Sequence, residues 1–109
     1  HLWHIPNGDT PDRIKNHRAL QGVDLPNTGV TSLPNTMVTG SLLIHAEGSA
    51  GKPVLHAIDK QTGERLGTVE LPATGEYGMM TYQYEGRQYI VAQVASRNLP
   101  GSLAALRLP

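Results

Sequence analysis

The chemistry-bearing side chains of this chain are histidine, serine, aspartate and arginine, and their spacing limits what they can do. The five histidines invite a metal reading. His1 and His4 have the spacing of one helix face, but their neighbours are strand-like. His45 and His56 fall on separate strand-like runs and can be cross-strand neighbours. No His-Glu-x-x-His or comparable ligand pattern occurs, so these histidines read as hydrogen-bonded structural residues rather than zinc ligands. Ser41, Ser49 and Ser96 lack the Gly-x-Ser-x-Gly setting of a nucleophile elbow. Glu47-Gly48-Ser49-Ala50-Gly51 is glycine-rich, yet no Lys-Ser/Thr and no helix follow it, so it reads as a loop and not a phosphate cradle. Asp59 lies in Asp-Lys-Gln-Thr-Gly-Glu, where the side chain is a turn former. Tyr77, Tyr82, Tyr84 and Tyr89 suit strand packing, with Tyr82 and Tyr84 on one face.

Elements that position these residues are short strands. The chain has 109 residues, 12 glycines, 8 prolines and no phenylalanine, a composition that favours strands joined by turns over long helices. Nine basic and nine acidic residues cancel to a net charge of zero. No basic or acidic block exists, which argues against a nucleic-acid surface or an anionic-membrane surface. The absence of cysteine excludes disulfides and thiolate metal sites. No apolar run reaches the length of a membrane span. The chain opens without Met and without a signal-peptide pattern, an opening that reads as processing, cleavage or truncation without separating them.

Leu2 to Ile5 reads as a strand end. From Pro6 to Leu33 the chain is rich in Pro, Gly, Asn and Asp. Asp9 or Thr10 can cap a helix with Pro11 in its first turn, giving a helical stretch over Ile14–Leu20 that ends at Gly22. Turns follow at Pro26-Asn27 and Thr28-Gly29. So long an excursion serves a site or packs on a scaffold. The pattern changes at Thr36. Met37–Thr39 and Leu42–Ala46 form a hairpin across Gly40-Ser41. Val54–Ile58 and Arg65–Leu71 flank the polar turn Asp59–Glu64. A turn at Thr74-Gly75 precedes a second hairpin, Met79–Tyr84 and Gln88–Val94, around Glu85-Gly86-Arg87, and Leu103–Leu108 is the last strand. Four antiparallel strands are thus followed by three. That is either the repeat of a β-propeller or a small sandwich, and composition and spacing leave both open.

Ala57, Asp59, Thr62 and Gly63 match the blade motif Ala-x-Asp-x-x-Thr-Gly-x-x-x-Trp of the pyrroloquinoline quinone (PQQ) dehydrogenases, with Gly67 in place of the tryptophan. Leu2-Trp3-His4-Ile5-Pro6 is similar to the family's Leu-Trp-x-x-Pro, the end of a preceding copy. Asn16–Gly22 and Leu25–Gly29 resemble an insertion of the glucose, quinate and shikimate dehydrogenase branch, and Met37–Thr39 with Leu42-Leu43 continue the match. The whole chain thus resembles the C-terminal segment of such an enzyme.

The resemblance implies an all-β chain, the C-terminal blade or blades of an eight-bladed β-propeller, built from four-stranded antiparallel sheets with a loop and short-helix insertion. Residues 1–35 would be the end of a preceding blade plus the insertion. Residues 36–72 would be one four-stranded blade, and 73–109 three strands of the ring-closing blade. The parent would oxidise a sugar, polyol or related alcohol in the periplasm and pass electrons to a quinone or cytochrome. PQQ and calcium would be bound mainly by parts of the parent outside this chain, as would the catalytic aspartate; the cofactor carries the redox chemistry and the protein positions it. This segment would supply ring closure and part of the substrate-funnel wall. Val94–Gly101 aligns with the family's funnel loop. Arg97 stands where the family has His or Trp, with Ser96 and Asn98 beside it, and a guanidinium there suits an acidic substrate. The partner implied is the larger N-terminal portion of the same propeller, since unpaired sheet edges would aggregate in isolation. The isolated chain is expected to be inactive. The rival reading is a non-catalytic propeller or sandwich module that binds a protein or carbohydrate.

Overall fold

The computed structural model describes residues 2–107; His1, Leu108, which ends the expected last strand, and Pro109 lie outside them. Seven strands carry the fold: β1 (Asn35–Val38), β2 (Leu42–Ala46), β3 (Val54–Asp59), β4 (Arg65–Glu70), β5 (Thr74–Tyr84), β6 (Arg87–Ala95) and β7 (Ser102–Arg107). Every pairing is antiparallel between consecutive strands, giving one sheet β1-β2-β3-β4 and a second β5-β6-β7. Two meanders without a crossover are the blade arrangement, and a Greek-key sandwich would need a strand to change sheets.

Local chemistry closes each hairpin. Thr39 bonds Leu42 in both directions: its hydroxyl accepts from Leu42 N at 3.1 Å while its own N–H donates to Leu42 O at 2.8 Å. Between β3 and β4, Asp59 Oδ1 accepts from the N–H groups of Gln61 and Thr62 at 2.8 and 2.9 Å, an Asx turn. Those backbone donors, Thr62 first, hold the Asp59 carboxyl below its ordinary value. Between β5 and β6, Glu85 and Gly86 both have positive φ, 49° and 72°, the backbone of a two-residue type I′ turn.

β1 packs along β5, so these two strands are the close edge of a wedge. The core lies between the sheets and comprises Ile44, Ala46, Leu55, Leu71, Ala73, Ile90, Ala92 and Val94. The close edge is built from small residues. A Cβ added at Gly75 would stand 2.8 Å from that of Ala46, and Asn35 Nδ2 donates to Gly75 O at 3.2 Å. Thr74-Gly75 is therefore strand and not the turn expected from its residue types; its glycine admits the neighbouring sheet, and the β5–β6 register slips between Gly75 and Met79. Away from this edge the sheets splay, and β4 is exposed along its whole length.

The excursion before β1 is less helical than its pattern suggests. One helical turn, α1 (Asp12–Lys15), follows Pro11, and a separate 3-10 turn spans Arg18–Leu20, capped by His17 Nδ1. Neither Asp9 nor Thr10 caps α1. Thr10 Oγ1 instead accepts from Thr28 N at 2.9 Å and donates to Asn27 Oδ1 at 3.1 Å, while Asn27 Nδ2 donates to Gly8 O at 2.9 Å. With Val30 N donating to Asn7 O at 2.8 Å, these bonds close the excursion at its neck.

Candidate functional site

Three sets of groups stand out, and the sheet topology sorts them to two ends of the wedge. In a meander alternate turns lie at opposite ends. The β2–β3 loop (47–53), the β4–β5 link (71–73) and the β6–β7 loop (96–101) share one end with the neck of the excursion. The β1–β2, β3–β4 and β5–β6 turns share the other.

At the first end sits a polar cluster that sequence reasoning missed. Glu47, in the glycine-rich loop, is 1% exposed. Its Oε2 accepts from Lys52 N at 2.8 Å, and its Oε1 lies 3.5 Å from His56 Nε2. Its backbone O accepts from Asn7 Nδ2 at 3.1 Å, and His45 Nε2 donates to Asn7 Oδ1 at 2.8 Å. His45 and His56 are direct cross-strand partners, as their positions suggested, with rings stacked 6.0 Å apart at 16°. His56 Nδ1 and Thr68 Oγ1 share a 2.8 Å hydrogen bond. The glycines around Glu47 make room for it: a Cβ at Gly8 or Gly51 would run into its side chain. Outside the cluster Asp9 faces Arg65 at 3.4 Å and Lys52 at 3.7 Å. Burial lowers both histidines below their ordinary value. The charge of His56 adds to this for His45, that of Arg65 for His56, and Glu47 opposes it in both.

A carboxylate beside an imidazole has the make-up of an acid–base pair. Here both partners are sealed from solvent: Glu47 is held by Lys52 N and His56 Nδ1 by Thr68, while His56 Nε2 faces Glu47 without a hydrogen bond, so the arrangement is a clamp. It ties the excursion through Asn7 to β2, β3 and β4. A distant Asn, a glycine-flanked Glu and two cross-strand histidines leave little trace in sequence order, since only the register brings them together.

The loop picked out by sequence lies at the same end. Ser96 and Arg97 line a shallow concavity of about 450 Å³ with Ser49, Thr74, Glu76 and Tyr77. Asn98 is not part of that lining. The Ser96 hydroxyl accepts from Leu99 N at 3.0 Å and Ser96 N donates to Leu99 O at 2.9 Å, which makes Ser96 a loop former. Thr74 Oγ1 donates to Glu76 Oε1 at 2.8 Å. Arg97 is exposed, and no ion pair to it occurs among the described residues.

At the opposite end, the half-buried Trp3 is docked on the Asp59–Glu64 turn. Its Nε1 donates to Lys60 O at 2.9 Å. Gly63, at φ 77°, lies under the ring, so close that a Cβ there would come within 2.8 Å of Trp3 Cδ2. Lys60 Nζ then bonds Thr39 O and Gly40 O at 3.1 and 2.8 Å, lacing this turn to the first hairpin. A tryptophan ahead of the sheet thus packs on the Thr-Gly of the turn within it. Residues 1–90 match the family model of the glucose/ethanol/alcohol dehydrogenase β-propeller domain, the PQQ family. The chain belongs to this family. No curated protein and no solved structure matches it. Membership places the chain within a PQQ-type alcohol or sugar dehydrogenase and makes PQQ the cofactor of that context. The motif's tryptophan position in the next strand, Gly67, meets nothing within 4 Å of where a side chain would begin.

Proposed function

We infer that this segment is the C-terminal part of a PQQ-dependent dehydrogenase that oxidises a sugar, polyol or related alcohol in the periplasm. Its share of the work is ring closure and one wall of the substrate funnel. The observation that carries this reading is the Trp3 ring seated on Gly63, because it sets the tryptophan that ends one copy of the family's blade motif on the Thr-Gly of the next. Support for the funnel wall comes from position. The concavity at Arg97 opens beside the start of β5, at the close edge of the wedge, which in a propeller faces the axis.

Among the described residues no three His, Cys, Asp or Glu side chains converge to hold a metal. Glu47, the fully buried carboxylate among the described residues, accepts from Lys52 N and lies 3.5 Å from His56 Nε2. Calcium and the quinone belong, in this reading, mainly to other blades of the parent propeller. What Arg97 offers is an exposed guanidinium with five donors, suited to a substrate carboxylate or adjacent hydroxyls.

The test is dye-linked oxidation by the full-length protein loaded with PQQ and calcium, across simple alcohols, polyols, sugars and hydroxy acids. Turnover of at least one class is expected. Arg97→Ala should raise KM about tenfold for the best substrate with kcat little changed, the mark of lost uniform binding. An unchanged KM removes Arg97 from the funnel wall, and no turnover of any class overturns the dehydrogenase reading.

A further inference from the structure

The neck of the excursion hangs on one side chain whose neighbour in sequence makes it reactive. Of the five asparagines, Asn7 alone is followed by glycine; Asn16, Asn27, Asn35 and Asn98 precede His17, Thr28, Thr36 and Leu99. An asparagine closes into a ring when the backbone nitrogen of the next residue attacks its side-chain carbonyl carbon. A side chain on that next residue obstructs the approach, and glycine has none. Gly8 sits at φ 73°, and its N–H donates to no backbone carbonyl among the described residues, so the nucleophile is not tied up in strand or turn pairing. The electrophile is held instead. Asn7 Nδ2 donates to Glu47 O at 3.1 Å, and Asn7 Oδ1 accepts from His45 Nε2 at 2.8 Å, which fixes the amide at both ends. The main chain is fitted as closely: Asn7 O accepts from Val30 N at 2.8 Å, and a Cβ added at Gly29 would stand 2.9 Å from Asn7 N and O.

We propose that Asn7 is a self-modification site: it deamidates through a succinimide when the neck opens, and the conversion unties the excursion for good. In the first step a bond forms between Gly8 N and Asn7 Cγ, the Cγ–Nδ2 bond breaks, and the Gly8 N–H proton leaves with Nδ2 as ammonia. In the second, water opens the ring. Cleavage at Cγ leaves aspartate, and cleavage at the Asn7 main-chain carbonyl leaves isoaspartate, whose main chain runs through Cβ. One water enters, one ammonia leaves, and nothing is oxidised or reduced. The amide must rotate out of both hydrogen bonds before Cγ meets Gly8 N, so the closed clamp protects Asn7 and local opening exposes it. Neither product restores the clamp. Aspartate has no hydrogen to give Glu47 O, and two acceptors then face each other in a partly buried site. Isoaspartate adds a methylene to the main chain, beside a neighbour, Gly29, already too close for a Cβ. The step runs one way, so the attachment of residues 8–29 has a lifetime as well as a stability. The inference stands on Asn7, Gly8, His45 and Glu47 and does not depend on the dehydrogenase reading.

The test is to hold the full-length protein in warm, mildly alkaline buffer, with and without urea, and to follow it by peptide mass mapping. In urea, conversion is expected at Asn7 ahead of Asn16, Asn27, Asn35 and Asn98, as a mixture of aspartate and isoaspartate. In buffer, conversion at Asn7 should still accumulate, at least about tenfold more slowly. Asn7→Asp makes one product directly. It is expected to speed hydrogen exchange of the Val30 amide by about tenfold while the β3 amides stay protected. Conversion led by another asparagine in urea, no conversion at Asn7 in buffer, or equal rates in the two solutions overturns the proposal. So does a Val30 amide that Asn7→Asp leaves as protected as in the wild type. Should Asn7→Asp expose β3 as well, the wild-type kinetics decide alone.

Discussion

Replacing Gly63 by alanine isolates the contact on which the family assignment rests structurally. The residue sits at φ 77°, where a Cβ costs roughly 1–2 kcal/mol. The same Cβ would lie 2.8, 2.9 and 3.0 Å from Cδ2, Cε3 and Cγ of Trp3. The ring cannot swing away freely, because its Nε1 is held by Lys60 O at 2.9 Å; such overpacking costs roughly 1–3 kcal/mol. Gly63→Ala should therefore destabilise by about 2–5 kcal/mol in total. With Trp3→Ala in the background only the backbone share survives, about 1–2 kcal/mol. The difference between the two backgrounds is the coupling, read by denaturant unfolding of the full-length protein in a double-mutant cycle. Gly63→Asn sharpens the result, since asparagine tolerates the left-handed backbone but still places a Cβ against the ring. An equal cost of Gly63→Ala in both backgrounds refutes the docked geometry.

Three other outcomes follow from the clamp and the turns. Glu47→Ala removes the buried acceptor of Lys52 N and the side chain packed against His56, and should destabilise by roughly 1–3 kcal/mol in denaturant unfolding; Glu47→Gln, which keeps an acceptor, should cost less. Burial lowers His45 and His56 in the folded state, so the unfolded chain binds more protons as pH falls below the ordinary value of 6.5. Their contribution is present above that pH and lost on acidification, so a wild-type melting temperature falling below pH 6.5 should flatten in His56→Gln. Glu85 occupies a left-handed position at φ 49°, and Glu85→Asn should raise stability by about 0.5 kcal/mol in thermal unfolding.

Strand pairing was legible because local chemistry dictates it. The Thr39–Ser41 and Asp59–Gly63 turns carry their own hydrogen-bonding side chains, and alternation between them fixes which residues face inward. The neighbourhood of His45 and His56 followed from the same counting. Thr74-Gly75 misled because a glycine that admits a neighbouring backbone has the same letter as one that turns a chain. The clamp was illegible for a related reason: Asn7 and Glu47 are 40 positions apart in sequence, and Glu47 becomes a buried carboxylate only when Gly8 and Gly51 fold around it. Thr10 and Asn27 likewise read as cap and turn formers, whereas the structure uses them to bind each other.

The small residues at the close edge, Ala46, Ala73 and Gly75, have a consequence beyond their own packing. Because the sheets touch there and diverge toward β4, the thickness at that edge acts as the hub of a hinge whose opening angle is the angular pitch from one sheet to the next. A ring tolerates no accumulated error in pitch. A methyl group added at Gly75, which would meet Ala46 at 2.8 Å, would thus be felt beyond Gly75 as well, as a mismatch in the seam where the last sheet meets the first.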